Sequence, residues 1–399
     1  MKSARHLFVR GFISQLISLI SLPLVARIYD VEIVATYGLV ILLSSVFQSF
    51  GVLKLDTRIW VPKGSGKENL VAASITIVLI LGVFFTLFTY TLVLDHVQNA
   101  AWGFVLYLAF NISLGFTNIL IAICIYQDRL NLISSSNLTK AVFISLSQVF
   151  LGFWSPSFET LISCAIFGQA ILCLMIKFRL KMKIAVLGIR KTISELSRHR
   201  AFSSNATFEG LINSIYALLP ALFISNNYEH YYLGLYYVSE RLLGIGNSVI
   251  SENLRHILAA RIVSDKSTQT IQSLMKKITL SIILLGLFLA LVYELLGEIL
   301  VSLVLGQQYS LLKEFFVFAI VGWTFRLLTL PIYVLLQSQL RQKYLASWSF
   351  FRLASIGSIF IILQSQTAFI TFIQILNVLY VATSVLFIVC GSRVGKTSN

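Results

Sequence analysis

The feature that most constrains this chain is a block of about twenty apolar residues that recurs from end to end. Because a helix rises about 1.5 Å per residue, it needs roughly 20 apolar residues to cross a bilayer. Only 12% of the 399 residues are charged, whereas a soluble domain carries about 25%. The sequence therefore predicts an integral membrane protein.

The apolar blocks predict an all-α membrane protein with about twelve transmembrane helices. They cover, approximately, residues 8–28, 33–53, 70–92, 101–125, 132–152, 157–177, 208–227, 231–252, 277–303, 314–337, 344–363 and 368–390. The fourth block is interrupted by two Asn residues, and the eighth is interrupted by Glu240 and Arg241.

The net charge of +15 has two explanations, a nucleic-acid partner or the excess of Lys and Arg in cytoplasmic loops. With the N-terminus in the cytoplasm, 24 of the 31 basic residues lie on the cytoplasmic side and two on the other side. The remaining five lie within spans. This asymmetry fits the positive-inside rule across all twelve spans, so it predicts that both termini are cytoplasmic. It also explains the positive charge without a nucleic-acid partner.

The longest connection is basic and follows the sixth span. It predicts three segments, which are an N-terminal six-helix bundle at 1–177, a cytoplasmic basic linker at 178–207 and a C-terminal six-helix bundle at 208–399. Residues 184–196 mix apolar and basic positions, which suits either a helix lying on the anionic leaflet or a plain tether.

Charged residues inside the spans are the strongest functional signal, since each costs roughly 2.5–3.5 kcal/mol on insertion scales. Arg241 and Arg326 fall near the middle of their spans, and Arg352 is about 12 Å deep by helical rise. Arg10 and Lys140 are closer to an end, within snorkelling reach. Arginine forks suit an anion such as a phosphate in a water-filled cavity. The alternative is an ion pair between helices.

Glu240 adjoins Arg241, but neighbours on a helix point about 100° apart. We therefore expect Glu240 to pair with a residue of another span.

Polar residues also recur at helical spacing on four spans. The four stripes are Arg10, Ser14, Ser18 and Ser21; Tyr37, Ser44 and Gln48; Glu209, Asn213, Tyr216 and Pro220; and Tyr236, Glu240, Asn247 and Ser251. Hydrogen bonding between helices would explain any single Ser or Asn. Four stripes on spans one, two, seven and eight favour a central cavity between the halves.

The sequence carries no metal cluster, catalytic triad or Gly-rich phosphate loop. Its four cysteines sit inside apolar blocks, where Cys behaves as a small hydrophobe. We therefore expect a protein that is not an enzyme and needs no cofactor, with energy supplied by a proton or sodium gradient, the membrane potential or the substrate gradient. The short external loops argue against a membrane-embedded polysaccharide polymerase.

Three segments carry a resemblance to a known family. They are ISLISLPLVARIY at 17–29, LDTRIWVPK at 55–63, and the run beginning FEGLINSIYALLPALFIS at 208 and continuing through LGLYYVSERLLGIGNSVI. The chain resembles the O-antigen and exopolysaccharide flippases of the multidrug/oligosaccharidyl-lipid/polysaccharide exporter superfamily. The twelve-span frame of that family covers essentially the whole chain.

This resemblance implies two six-helix bundles around a cationic cavity in the bacterial inner membrane. It also implies flipping of a polyprenyl-pyrophosphate-linked oligosaccharide to the external leaflet by alternating access, with membrane lipids and other polysaccharide assembly proteins as partners. By match to the motifs, Arg27, Arg58 and Arg241 stand where the family has Arg or another polar residue. The triplet Asp56-Thr57-Arg58 departs from the family pattern of an acidic–apolar pair.

The candidate substrate-binding residues are Arg241, Arg326, Arg352, Arg10, Arg27, Arg58, Glu240, Asn213 and Asn247. A cation-coupled multidrug exporter of the same superfamily is the alternative. That function would favour buried carboxylates in the first half, but Asp30, Glu32 and Asp95 lie at helix ends.

Overall fold

The computed structural model describes residues 2–59, 67–94, 97, 99–127, 129–180, 186–198, 200–244, 268–338, 342–363 and 367–396, and their regular structure is helical throughout. The helices up to residue 198 are α1 (Lys2–Ile28), α2 (Val31–Phe50), α3 (Leu55–Ile59), α4 (Lys67–Tyr90), α5 (Ala100–Tyr126), α6 (Leu130–Gly152), α7 (Phe158–Leu180) and α8 (Ile189–Arg198). The later helices are α9 (Arg200–Asn227), α10 (230–244), α11 (Thr268–Leu300), α12 (Leu312–Leu328), α13 (Leu330–Ser338), α14 (Gln342–Ile362) and α15 (Phe369–Lys396).

Ten helices in the described part of the chain are long and apolar enough to cross a membrane. They coincide with ten of the twelve predicted spans, and they confirm an all-α, multi-pass membrane protein. The fifth predicted span is the helix α6, which is long enough but too polar to be counted on composition. The eighth corresponds to α10 as far as residue 244, and its remainder lies outside the described residues.

The chain forms two compact units, Met1–Leu218 (unit 1) and Leu219–Asn399 (unit 2). The boundary falls within α9, immediately before Pro220, which removes one backbone N–H from that helix. The predicted segments 1–177, 178–207 and 208–399, and the predicted cavity between the halves, stay predictions.

Unit 1 buries the polar helix α6 between α1 and α7. The hydroxyl group of Tyr29, which follows α1, donates a 2.8 Å hydrogen bond to the backbone carbonyl of Gln148 on α6. The amide nitrogen of the Gln148 side chain donates in turn to the hydroxyl of Tyr37 on α2. Packing against neighbouring helices therefore gives the side chain of Gln148 one of its hydrogen-bond partners, although α6 is less apolar than the ten spans above.

Unit 2 is built around the close contact of α12 with α15. Gly322 on α12 faces Asn377 on α15, and a Cβ atom at position 322 would overlap the Oδ1 atom of Asn377. Small residues at such contacts let membrane helices approach each other, because no hydrophobic effect drives them together in lipid. The α12–α15 contact therefore depends on Gly322.

The helices α1 and α9 share one local feature near their C-terminal ends. Pro23 lies inside α1 and Pro220 inside α9. A tyrosine follows each helix, and its hydroxyl group donates to a distant backbone carbonyl, Tyr29 to Gln148 and Tyr228 to Thr367.

The substitution Gly322→Ala tests the α12–α15 contact. Overpacking of this kind costs about 1–3 kcal/mol, so we expect a lower melting temperature in detergent, measured by fluorescence-detected size exclusion. Gly357→Ala on α14 is the matched control, because a Cβ atom there meets nothing within 4 Å. Equal melting temperatures for the two variants would contradict the close approach.

Candidate functional site

An ion pair joins α10 to the middle of the span formed by α12 and α13. The Nη2 atom of Arg326 lies 2.9 Å from Oε1 of Glu240, and its Nη1 atom donates to Oε2 at 3.4 Å. Glu240 lies ten residues after the first residue of α10, and Arg326 lies fourteen residues after the first residue of α12. The two residues are therefore roughly 15–21 Å along the helix axis from the start of their helices. The prediction that Glu240 pairs with another span is confirmed.

Aromatic rings surround this ion pair. The guanidinium carbon of Arg326 stands 4.6 Å from the centroid of the Tyr380 ring, which is the geometry of a cation–π contact. Tyr236 lies beside Glu240 and Tyr380, and both tyrosines are buried. The side chains of Arg326 and Glu240 nevertheless remain 27% and 29% exposed. Aromatic rings thus contact part of the ion pair, and another part of its surface remains exposed.

Arg241 uses different neighbours. Its Nη1 atom donates a 3.2 Å hydrogen bond to the hydroxyl of Tyr237, one turn earlier, and its guanidinium carbon stands 5.9 Å from that ring. Arg352 is half-buried on α14, ten residues after the helix begins. Arg241, Arg326 and Arg352 thus place three positive charges within the spans of unit 2, and Glu240 is the carboxylate paired with one of them.

The predicted site residues of unit 1 do not form one cluster. Arg10 is half-buried at the first residue of the first span, and Arg27 is exposed in the last turn of the same helix. Seventeen residues separate them, which is about 26 Å along α1. Arg58 is half-buried in the short helix α3, and Asn213 is half-buried on α9. Asn247 lies outside the described residues.

The polar stripes of α1 and α2 take part in hydrogen bonds inside unit 1. Ser145 on α6 donates a 3.0 Å hydrogen bond to the hydroxyl of Ser21. Tyr37 accepts from Gln148, and Ser44 is only 1% exposed. For these residues, hydrogen bonding between helices and burial explain the stripe.

One residue that contacts these charges, Tyr380, was not predicted from the sequence. Tyr380, which faces Arg326, belongs to a polar stripe with Asn377 and Ser384 on α15, and that spacing was a usable signal. Lys140 lies deeper than expected, because α6 begins at Leu130 and not at 132. It is ten residues, about 15 Å, into the helix. Among the described residues no carboxylate lies within ion-pair distance of its ammonium group.

The described helices define the chain as a multi-pass membrane protein. It is similar to the lipid II flippase MurJ in an inward closed conformation, with a TM-score of 0.79 and 11% identity over 96% of this chain and 87% of that one. It is also similar to an inward-facing multidrug resistance MATE transporter of the MOP superfamily, with a TM-score of 0.62 and 12% identity over 98% and 94% of the two chains.

A Vibrio cholerae MATE transporter, VcmN, has the same fold, with a TM-score of 0.59 and 10% identity over 100% of this chain and 98% of its own. At such identities the likeness shows the fold alone. A sequence search of curated proteins finds no match to this chain. The model of the family described as polysaccharide biosynthesis protein matches residues 67–314, well over half of the sequence. The chain belongs to that family.

A double-mutant cycle on the Arg326–Glu240 pair tests its structural role. Glu240→Met leaves Arg326 without its carboxylate, a change that costs up to about 3–5 kcal/mol for a buried pair. We expect Glu240→Met to lower the melting temperature in detergent, and Arg326→Met in the same chain to recover part of the loss.

The pair of Lys313 and Glu298 is the control, because its side chains are 53% and 76% exposed. Removing either residue should cost only about 0–1 kcal/mol. Additive losses for the Arg326–Glu240 double variant would contradict a direct interaction.

Proposed function

We propose that this protein is a flippase for a polyprenyl-pyrophosphate-linked oligosaccharide, an O-antigen or exopolysaccharide repeat unit. In this proposal it resides in the bacterial inner membrane with both termini in the cytoplasm. It carries its substrate from the cytoplasmic to the external leaflet by alternating access. The observation that supports the proposal most is that three arginines, Arg241, Arg326 and Arg352, lie within the spans of unit 2.

The chemistry of the Arg326 site suits a pyrophosphate. A carboxylate and a phosphate present paired oxygens to a guanidinium fork in the same way, so Glu240 holds the position that a phosphate would take. In our proposal the incoming pyrophosphate displaces Glu240 from Arg326 and adds contacts to Arg241. Glu240 thus keeps the empty site neutralised, and a cationic centre is exposed when substrate arrives.

Coupling to an ion gradient fits the same site. A carboxylate that leaves Arg326 within the membrane needs another positive partner, because an uncompensated charge is costly there. A proton or a sodium ion would supply it. Glu240 is therefore the residue through which we propose that either ion drives the transport cycle.

A cation-coupled multidrug exporter is the second candidate, supported by the likeness of the fold to MATE transporters. A site for cationic drugs needs a carboxylate that is available to the drug. Here Glu240 is bound by Arg326, and Arg241 and Arg352 add two further positive charges within the spans of unit 2. These charges favour an anionic substrate and hence the flippase.

Complementation in a bacterium that lacks its own repeat-unit flippase tests the proposed function. With the matching sugar biosynthesis genes, wild-type protein should restore surface polysaccharide, scored on gels and by surface labelling. Arg326→Ala and Arg241→Ala should abolish it, because each removes a ligand for the pyrophosphate, whereas Lys313→Ala should not.

Protein levels in the membrane are measured alongside, so that loss of expression is separated from loss of transport. Restoration by well-expressed Arg326→Ala and Arg241→Ala would contradict the cationic site. Failure of the wild type with matching sugar genes would favour the drug exporter.

The substitution Glu240→Gln tests the displacement step separately. It keeps the size of the side chain but removes the charge that competes with substrate. We expect the purified variant to bind a polyprenyl pyrophosphate more tightly than the wild type, by roughly tenfold if about 1.4 kcal/mol of competition is removed, while its transport slows. Weaker binding by Glu240→Gln would show that Glu240 helps to hold substrate and does not compete with it.

A further inference from the structure

Unit 1 contains an apolar groove that the proposed transport site does not use. It has a volume of about 500 Å³ and lies between α4, α5 and α7. Its walls include Val71, Ile112, Phe116 and Leu174, and Lys177 is the charged residue in its lining. The volume falls within the range of about 300–1,000 Å³ that is typical of ligand sites.

The groove has the length of one leaflet of a bilayer. On α5 its lining runs from Ala109 to Leu120, eleven residues or about 16 Å. Half of the hydrocarbon core of a bilayer measures about 15 Å. Lys177 lies in the last turn of α7, and Val71 in the second turn of α4. The groove therefore begins near these helix ends and runs along about 16 Å of α5, roughly the thickness of one leaflet.

Positive charges gather at the shallow end of the groove. Among the described residues, no carboxylate lies within ion-pair distance of Lys177. The Nη1 atom of Arg129 donates a 2.9 Å hydrogen bond to the backbone carbonyl of Arg179, two residues beyond Lys177. Lys177, Arg129 and Arg179 thus place three cations at the end of α7, which complements an anionic headgroup.

The helix α8 packs beside α4. Two 3.1 Å hydrogen bonds between Thr76 and the backbone of Leu187, two residues before α8, hold it there. Ile189 and Ile193, one turn apart, are 64% and 60% exposed, and Arg190 and Lys191 lie beside them. An apolar face combined with basic residues is typical of a helix that lies on an anionic leaflet.

We propose that the groove binds one acyl chain of an anionic phospholipid, whose phosphate group lies at Lys177. At about 30 Å³ for each water-sized group, 500 Å³ holds roughly 16 such groups, the size of one acyl chain. A long polyprenyl chain is several times larger. The site is thus a resident-lipid site in unit 1, whereas the proposed substrate contacts belong to unit 2, and it does not depend on the proposed function.

Photocross-linking tests this site. The full-length protein is reconstituted with phosphatidylglycerol that carries a diazirine on its acyl chain, and labelled peptides are mapped by mass spectrometry. We expect labels on residues 109–120 of α5, with at least fivefold weaker labelling from the phosphatidylcholine analogue. Lys177→Gln should lower the labelling about fivefold, and Lys177→Arg should restore it.

Two further variants separate the groove from its charge. Ala109→Phe fills the deep end and should move the labels away from α5 without changing the cations. Lys313→Gln in unit 2 removes a charge elsewhere and should leave the labelling unchanged. Equal labelling by both lipids, or labelling that ignores Lys177→Gln, would overturn the proposal. Displacement of the label by equimolar polyprenyl phosphate would overturn it too, because the groove would then belong to a polyprenyl carrier.

Discussion

Within the hydrocarbon core of a membrane no water compensates a charge or a backbone polar group, so the protein has to supply every partner itself. Arg326 shows this constraint most clearly. Its guanidinium meets Glu240 through two hydrogen bonds and stands over the ring of Tyr380, which joins three helices of unit 2. In unit 1 the same constraint is met by neutral groups, where Tyr29 and Tyr37 bind the backbone and side chain of Gln148 on the polar helix α6.

The two kinds of partner have different consequences. The neutral hydrogen bonds of unit 1 join helices and leave nothing for a ligand to compete with. The ionic contact in unit 2 holds a carboxylate in a guanidinium fork, and a phosphate group can replace a carboxylate there. In our proposal, the ion pair that stabilises the protein is also the site that an anionic substrate enters, which suits a member of the polysaccharide biosynthesis family.

The membrane fold was predictable because bilayer thickness fixes the length of each apolar block. Ten of the predicted spans coincide with helices that are long and apolar enough to cross a membrane. Depth within a span likewise identified Arg326 as a residue that needs a partner. The identity of the partner was only half predictable. The sequence indicated that Glu240 would reach another helix, but 86 residues separate it from Arg326, and helix rotation in three dimensions decides the match. Tyr380 and the hydrogen bond between Ser21 and Ser145 depend on the same rotations.

The proposed flippase activity is tested most directly by measuring the flipping of labelled lipids by the purified wild-type protein in liposomes. Two labelled substrates with the same oligosaccharide and polyprenyl chain would be compared, one joined through a pyrophosphate and one through a neutral ether. We predict rapid translocation of the pyrophosphate-linked lipid and little movement of the neutral one, because in our proposal only the pyrophosphate displaces Glu240 from Arg326. Equal rates for the two lipids would contradict it.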